Sequence, residues 1–416
     1  MAVTSEAAVP PVPEHVPPEL VMRFDFRNDE ELRSDPWTYI ESLHGRPDIF
    51  FSPDLGGYWV VTRSDLIEEV FSRHDLFTAT SLEIPQLDNP LRLIPNHFDP
   101  PLHTSYRRVV ANLFTPRALA TLETDSRDFA RALFDSFEPG RCEFVEQFAY
   151  RLPIDIFLKL MGADLSLRDE CLACVHGVFR GQTAEDTQSG FAATNDFVTR
   201  WLTEQLKDPE RNSGTMFQAM IQSTVDGRAL TFEEMHSITM MLFFGGLDTV
   251  TSQMTHIMRF LADNPEHRQY LLDHPQALPE ALEELLRRFG ISFIGRAAAK
   301  DFVYHDVPFR KGDAVCAGTP IAGVDPRAWP DPLRVDFNRG KGRRIKHLGF
   351  GAGPHMCVGA FLARTQLKVM IEELLPRMPK LHVADAAVVE NSAGATMMLK
   401  PLPLAWDPAG QAHLDR

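Results

Sequence analysis

The sequence predicts a mainly α-helical fold with small β regions, organised as one large domain behind a proline-rich arm. Three observations carry that prediction. Of 416 residues, 44% are hydrophobic and 24% charged, a balance that suits a chain burying a large core. Apolar residues recur at helical spacing through most of the chain, including a run over 231–262 that spans about 48 Å if unbroken. Strand-like stretches are short and lie near 57–62, 296–319 and 380–405, and no Gly-, Ser- or charge-rich linker divides the middle. The arm is therefore placed at 1–22 and the domain at 23–416.

In chain order, residues 1–20 hold five prolines and neither Lys nor Arg, which suits neither a signal peptide nor a membrane anchor. A strand at 57–62 leads into a helix at 64–71 that opens with Ser and Asp. Residues 77–101 form a proline-punctuated loop, long for a compact domain, and such loops are usually functional. Helices are expected at 103–113, 119–137, 144–161, 166–180, 190–206, 231–262, 278–289 and 358–375. The strand-like segments form two small β regions on this helical body.

A net charge of -15 disfavours nucleic acid or an anionic membrane as the main partner. Five cysteines, few and odd in number, point away from a disulfide framework and toward a reducing compartment, so the expectation is a soluble cytoplasmic monomer. Cys171 and Cys174 form one isolated pair on a predicted helix, which reads as packing rather than as a zinc or redox site.

One stretch carries chemistry: His347-Leu-Gly-Phe-Gly-Ala-Gly-Pro-His-Met-Cys357, followed by an apolar helical run. A cysteine thiolate can be an axial ligand of haem iron if the chain approaches the flat macrocycle closely and donors face the sulfur. Gly351 and Gly353 permit that approach, a helix beginning near Val358 turns its positive end toward Cys357, and Phe350 shields the sulfur. Phe350-Gly-x-Gly-x-His-x-Cys357-x-Gly-x-x-Leu-Ala-Arg364 resembles the haem-binding signature of the cytochrome P450 family. Gly245-Gly-Leu-Asp-Thr-Val250 and Glu283-Glu-Leu-Leu-Arg-Arg-Phe289 resemble its soluble bacterial camphor-hydroxylase and terpenoid-oxidising branch.

The resemblance implies the P450 fold, with haem b between the long central helix and the cysteine-loop helix. It implies Cys357 as the metal ligand and His103, Arg107, Arg296 and His355 as partners of the haem propionates. It also implies a structural Glu284–Arg287 pair behind the haem, joined by a second arginine, Arg339 or in its place Arg334. Two glycines inside a helix cost roughly 1 kcal/mol each relative to alanine, so Gly245 and Gly246 make room for something. Thr249 can turn its hydroxyl back to the carbonyl of Gly245, four residues earlier, and open a notch. By resemblance, Asp248 and Thr249 supply protons to dioxygen there so that the O–O bond breaks heterolytically.

The resemblance further implies two electrons from a 2Fe–2S ferredoxin served by an NADH-dependent reductase. Between Asp336 and Glu372 the chain has no acidic residue but carries Arg339, Lys341, Arg343, Arg344, Lys346, Arg364 and Lys368. That reversal of charge reads as a docking face, with Arg107 and Arg108 contributing. By position, Leu91, Leu93, Met241, Phe244, Ser292, Ile294, Ala395 and Thr396 line the substrate pocket. Where the camphor branch has a tyrosine and an aspartate this chain has Leu91 and Ile294, which points to a larger apolar terpenoid or norisoprenoid such as an ionone. A peroxide-using haem-thiolate enzyme is the alternative, although such relatives replace the acid–alcohol pair with arginine and proline. A non-catalytic haem sensor is the third class, and it has no use for that pair.

Overall fold

The structure, a computed structural model, describes residues 11–86, 92–115, 119–179, 184–208, 214–392 and 394–408. Its principal helices are α1 (Ser64–Ser72), α2 (Leu102–Leu113), α3 (Leu122–Asp135), α4 (Arg151–Met161), α5 (Arg168–Phe179), α6 (Ala184–Gln205), α7 (Phe232–Asp263), α8 (Leu278–Arg288) and α9 (Ala360–Leu374). These fall where helical periodicity places them, with ends displaced by a few residues.

The central helix α7 starts on a capping box. Thr231 Oγ1 accepts the Glu234 N–H at 3.2 Å and Glu234 Oε2 accepts the Thr231 N–H at 2.8 Å, satisfying two donors that a helix start leaves unpaired. Glu234 is held in turn by Arg228 and by the Tyr106 hydroxyl of α2. The helix stops at Asn264 because Pro265 follows. It runs unbroken through Gly245 and Gly246 because the residues around them are packed on several sides, so tertiary burial overrides propensity.

The helix expected over 144–161 is present but irregular, with Phe144 and Tyr150 at helical angles on either side of a π-helical turn. That turn is Val145–Ala149, and α4 begins at Arg151. Pro153 has no N–H to give the carbonyl of Ala149, four residues earlier. The hydroxyl of Thr251 on α7 lies 2.7 Å from that carbonyl and equally 2.7 Å from Leu247 O, so its single proton is shared between the two.

The β structure is more divided than two regions. β1 (Ile49–Ser52), β2 (Tyr58–Val61), β3 (Phe77–Thr78), β4 (Phe293–Ala298) and β5 (Ala314–Gly318) make a mixed sheet in the order β1-β2-β5-β4-β3, with β2 and β5 parallel. A second sheet joins Arg141–Glu143, Pro403–Ala405 and His382–Val383, and short hairpins complete the set. Phe77–Thr78 and Arg141–Glu143 are too short to show a period of two, so the sequence reads them as loop. In the proline-rich arm, Val16 is buried and the Met22 N–H reaches Phe51 O at 2.9 Å, laying the arm's end against β1.

Two apolar cores result, one among the helices and one under the mixed sheet. The cysteine loop lies at their seam, since Phe350 and Val358 pack on the helical core while Leu348 and Ala352 pack on the sheet core.

Candidate functional site

The loop before α9 is shaped by two left-handed glycines, Gly351 at φ 68° and Gly353 at φ 67°. A Cβ on Gly353 would lie 2.7 Å from Ser72 Cα, so only glycine lets the loop touch the end of α1. Gly351 faces open space. The loop closes when the Cys357 N–H bonds Phe350 O at 2.9 Å. α9 begins at Ala360, two residues later than expected, so the dipole sits farther from the sulfur and the Gly359 N–H is the donor that faces it.

Cys357 is exposed, yet protein crowds the thiol closely enough that burial pushes its pKa up, against the pull of Gly359 N–H, Arg107 and Arg364. The two observations agree if the sulfur lines a recess that water enters. The helix start therefore does not by itself secure the thiolate.

α7 borders open space in its middle. Gly245 is exposed although Phe243, Phe244, Leu247 and Asp248 around it are buried, and a Cβ built on Gly245 or Gly246 meets nothing within 4 Å. Thr249 Oγ1 donates to Gly245 O at 2.8 Å, and Asp248 is fully buried beside it.

His103 of α2 and His355 of the loop meet with ring centroids 4.1 Å apart. Both nitrogens of His103 and Nε2 of His355 are buried without a hydrogen-bond partner among the described residues. Burial, with Arg107 and Arg296 as neighbours, lowers His103 to about 4 and His355 to about 3. Arg296 on β4 is buried, which brings its pKa down to about 10, with Asp99 opposing. Arg107 reaches across to donate to Met356 O. Four donors thus converge with little negative charge among them, an arrangement that fits a flat group bearing two carboxylates.

Behind the loop, Glu284 takes two bonds from Arg287 at 2.8 Å each and one from Arg339 Nε at 2.9 Å. Arg287 also donates to Gly323 O and Pro332 O. Arg334 supplies a backbone carbonyl to both arginines while its own side chain is no partner of Glu284.

Sequence reasoning missed the neighbouring Glu283. Burial pushes this carboxyl up, but His347 and Arg364 outweigh that and hold it at about 2. The adjacent pair Glu283-Glu284 was the available signal: with one glutamate assigned, the other needed cations of its own. Of the expected docking face, Arg339 turns to Glu284 and Arg364 to Glu283, while Lys368 is half-buried against Glu123 and Arg107 is half-buried and donates to Met356 O. Lys341, Arg343, Arg344, Lys346 and Arg108 remain exposed, beside exposed Met356 and Phe361.

Of the predicted pocket residues, Leu91 lies outside the described residues. Met241 and Phe244 are buried on α7, Leu93 packs on the helical core, and Ser292 and Ile294 share one face at β4. Thr396 bridges to Ser292, and Ala395 O accepts the Phe293 N–H at 2.9 Å. The structure adds Phe179 of α5 and Phe191 of α6, whose rings meet Phe244 at 5.9 and 5.3 Å. Cys171 and Cys174 are buried with their thiols pushed up by burial, and no cluster of metal-ligating residues occurs among the described residues. No helix among them is long and apolar enough to cross a membrane.

The sequence profile described as Cytochrome P450 matches residues 178–403. The chain is similar to Probable cytochrome P450 127A1 of Sinorhizobium fredii (strain NBRC 101917 / NGR234), with 30% identity covering 95% of this chain and 97% of that protein. Its structure is similar to that of Cytochrome P450 CYP101C1 at TM-score 0.87 and 30% identity, covering 95% of this chain and 100% of that one. Similarity to CYP101J2 is of the same order, at TM-score 0.87 and 29% identity, over 96% and 100%.

Proposed function

The chain belongs to the cytochrome P450 family, haem-thiolate monooxygenases that oxidise small organic substrates with O2, and from that premise we propose that it hydroxylates a small apolar terpenoid or norisoprenoid of ionone type using electrons from a 2Fe–2S ferredoxin. The family's cofactor is haem b held by a cysteine thiolate. Cys357 is the residue that would ligate the iron, and His103, Arg107, Arg296 and His355 would take the propionates, with Phe350 and Gly351 against the macrocycle. Haem b, when bound, supplies the activation of O2 and the insertion of one oxygen atom into a C–H bond.

The chain's own residues handle protons and shape. Thr249 commits its single proton to Gly245 O, so toward the notch it offers a lone pair and acts there as an acceptor. Asp248, at the next position and buried, is the acid that would bring protons in. Gly245 leaves the space in which they act.

The substrate reading is supported by the residue types at the positions the family resemblance assigns to the pocket: Leu93, Met241, Phe244 and Ile294 are apolar, while Ser292 and Thr396 supply hydroxyls and no charge. A pocket so lined selects by shape and apolar area. Three additional carbons on an ionone relative to camphor contribute about 2.4 kcal/mol if all are buried, roughly a fiftyfold tighter complex. The exposed cations around Met356 and Phe361 support an acidic electron carrier docking beside the cysteine loop. The test is a screen of terpenoids, norisoprenoids, fatty acids and aromatics by the low-spin to high-spin change of the ferric haem. Ionones should give the larger shift and tighter binding, and camphor binding more tightly than any ionone would overturn the substrate class.

A further inference from the structure

Cys357 is braced from outside its own loop. Glu283, 5% exposed near the middle of α8, is the acceptor on which three cation- or proton-bearing side chains meet. Arg364 Nε and Nη2 reach its two oxygens at 2.6 and 2.9 Å, His347 Nε2 lies at 3.1 Å, and Arg344 Nε at 3.0 Å. Each of these partners except Arg344 touches the cysteine loop again. The Arg364 guanidinium lies 4.3 Å over the ring of Phe350, and Phe350 O is the acceptor for the Cys357 N–H at 2.9 Å. His347 Nδ1 accepts the Gly349 N–H at 3.0 Å, fixing the residue before Phe350. A Cβ on Gly349 would meet Leu286 O of α8 at 2.9 Å, so the loop and α8 are in contact at this point.

We propose that Glu283 is a positioning residue for the cysteine ligand: through Arg364 and His347 it holds Phe350 and the Cys357 backbone in place and thereby sets the reduction potential and durability of the iron–thiolate bond. The inference rests on Cys357 being that ligand. Its physical basis is twofold. Glu283 brings one negative charge to Arg364 and Arg344, so its removal makes the surroundings of Arg364, whose charge acts on Cys357, one unit more positive, a field that favours the reduced, more negative centre. Removal also releases Arg364 from the Phe350 ring and His347 from Gly349, loosening the carbonyl that orders the Cys357 N–H. Glu284, the next residue, serves a separate network through Arg287 and Arg339, so the doublet divides its labour between loop and core.

The test uses the haem-loaded full chain with Glu283→Gln, Arg364→Met and Arg344→Gln. The ferric/ferrous midpoint is measured by spectroelectrochemistry, and the lifetime of the thiolate-type band of the reduced carbon monoxide complex is followed at constant temperature. Glu283→Gln should favour reduction at least threefold, about 28 mV for one electron, and should shorten the band lifetime about tenfold. Arg364→Met should shorten the lifetime similarly. Arg344→Gln, which touches the outer edge of Glu283 and not the loop, should leave the lifetime within about twofold. Glu283→Asp, which keeps the charge, should retain the midpoint. If Glu283→Gln does not accumulate with haem, Arg364→Met decides the matter through the lifetime. An unchanged midpoint and lifetime in Glu283→Gln, or an unchanged lifetime in Arg364→Met, overturns the proposal. Absence of the thiolate-type band in the unaltered protein would instead refute Cys357 as ligand, a separate failure.

Discussion

Thr249 and Gly353 show what single residues decide. The Thr249 hydroxyl is turned onto Gly245 O at 2.8 Å, a bond that a valine or alanine cannot make. Thr249→Ala should leave the substrate-induced spin change and NADH consumption near their original levels while oxygen is diverted to peroxide, because the alcohol acts after O2 has bound. Product formed per NADH is the measurement, and an unchanged ratio removes Thr249 from the proton path. Gly353 has a different constraint, a left-handed backbone with Ser72 Cα in the way of any side chain. Gly353→Ala should cost about 1–2 kcal/mol for the backbone conformation alone, and push the loop off α1, read as faster loss of haem to an acceptor protein. Gly353 was legible in the sequence as a glycine that lets the loop before Cys357 turn tightly, and Thr249 was singled out by its place in the family resemblance and by the hydroxyl it can turn back to Gly245 O. Phe179 and Phe191 were not, since an aromatic on a helix face looks the same whether it lines a core or a pocket.

At the scale of the element, the π-helical turn ahead of α4 leaves Ala149 O without a partner from Pro153, and a hydroxyl of the distant α7 lies against it. Thr251→Val would remove the hydroxyl that Ala149 O shares with Leu247 O, at about 1 kcal/mol, and the chemical denaturation midpoint should fall accordingly. Thr251→Ser should restore most of it. α8 presents a comparable case in ionic form. The folded state holds Glu283 at about 2, below its ordinary value, so the stabilisation it provides is present above the unfolded pKa and is lost as pH falls through the folded one. With a reference near 4.3, the loss develops between about pH 5 and 2 and amounts to roughly 3 kcal/mol at most. Denaturation midpoints of the unaltered protein and Glu283→Gln should differ near neutral pH and converge in acid. Helical periodicity announces such elements but says nothing of their ionic partners, which come from residues as far as eighty-one positions away in the chain.

On the scale of the whole molecule, the site occupies a seam. Phe350 packs on the helical core, to which Leu93, Met241 and Phe244 also belong, while Leu348 and Ala352 join the sheet core together with Ile294. One face of the same loop is lined by exposed cations and apolar side chains, in a chain whose net charge is -15. Reversing charge at Arg108, or at Arg343 and Lys346, should raise the ferredoxin concentration for half-maximal turnover and flatten its dependence on ionic strength, with substrate affinity unchanged. Identical kinetics at low salt would remove this face as the docking surface. Arg344 is left out of that pair because its guanidinium is shared with Glu283, and Lys346 carries a competing contact to Glu68 at 2.6 Å that the reversal also tests.

The sequence by itself announced the helical character and the order of the long helices, because these rest on a local 3.6-residue period, and its resemblance to a known family singled out Cys357, Asp248 and Thr249 as the residues expected to carry chemistry. The tertiary structure decided which charges face the solvent and which are consumed inside. Arg344 and Lys346 are two residues apart in a basic run and read alike, yet one reaches the buried Glu283 and the other the surface Glu68. It also decided that His103 and His355, 252 positions apart, meet ring to ring at 4.1 Å with Arg296 close by. The physical reason is common to both: desolvation and charge pairing depend on what the rest of the chain brings to a point in space, and no local pattern records it.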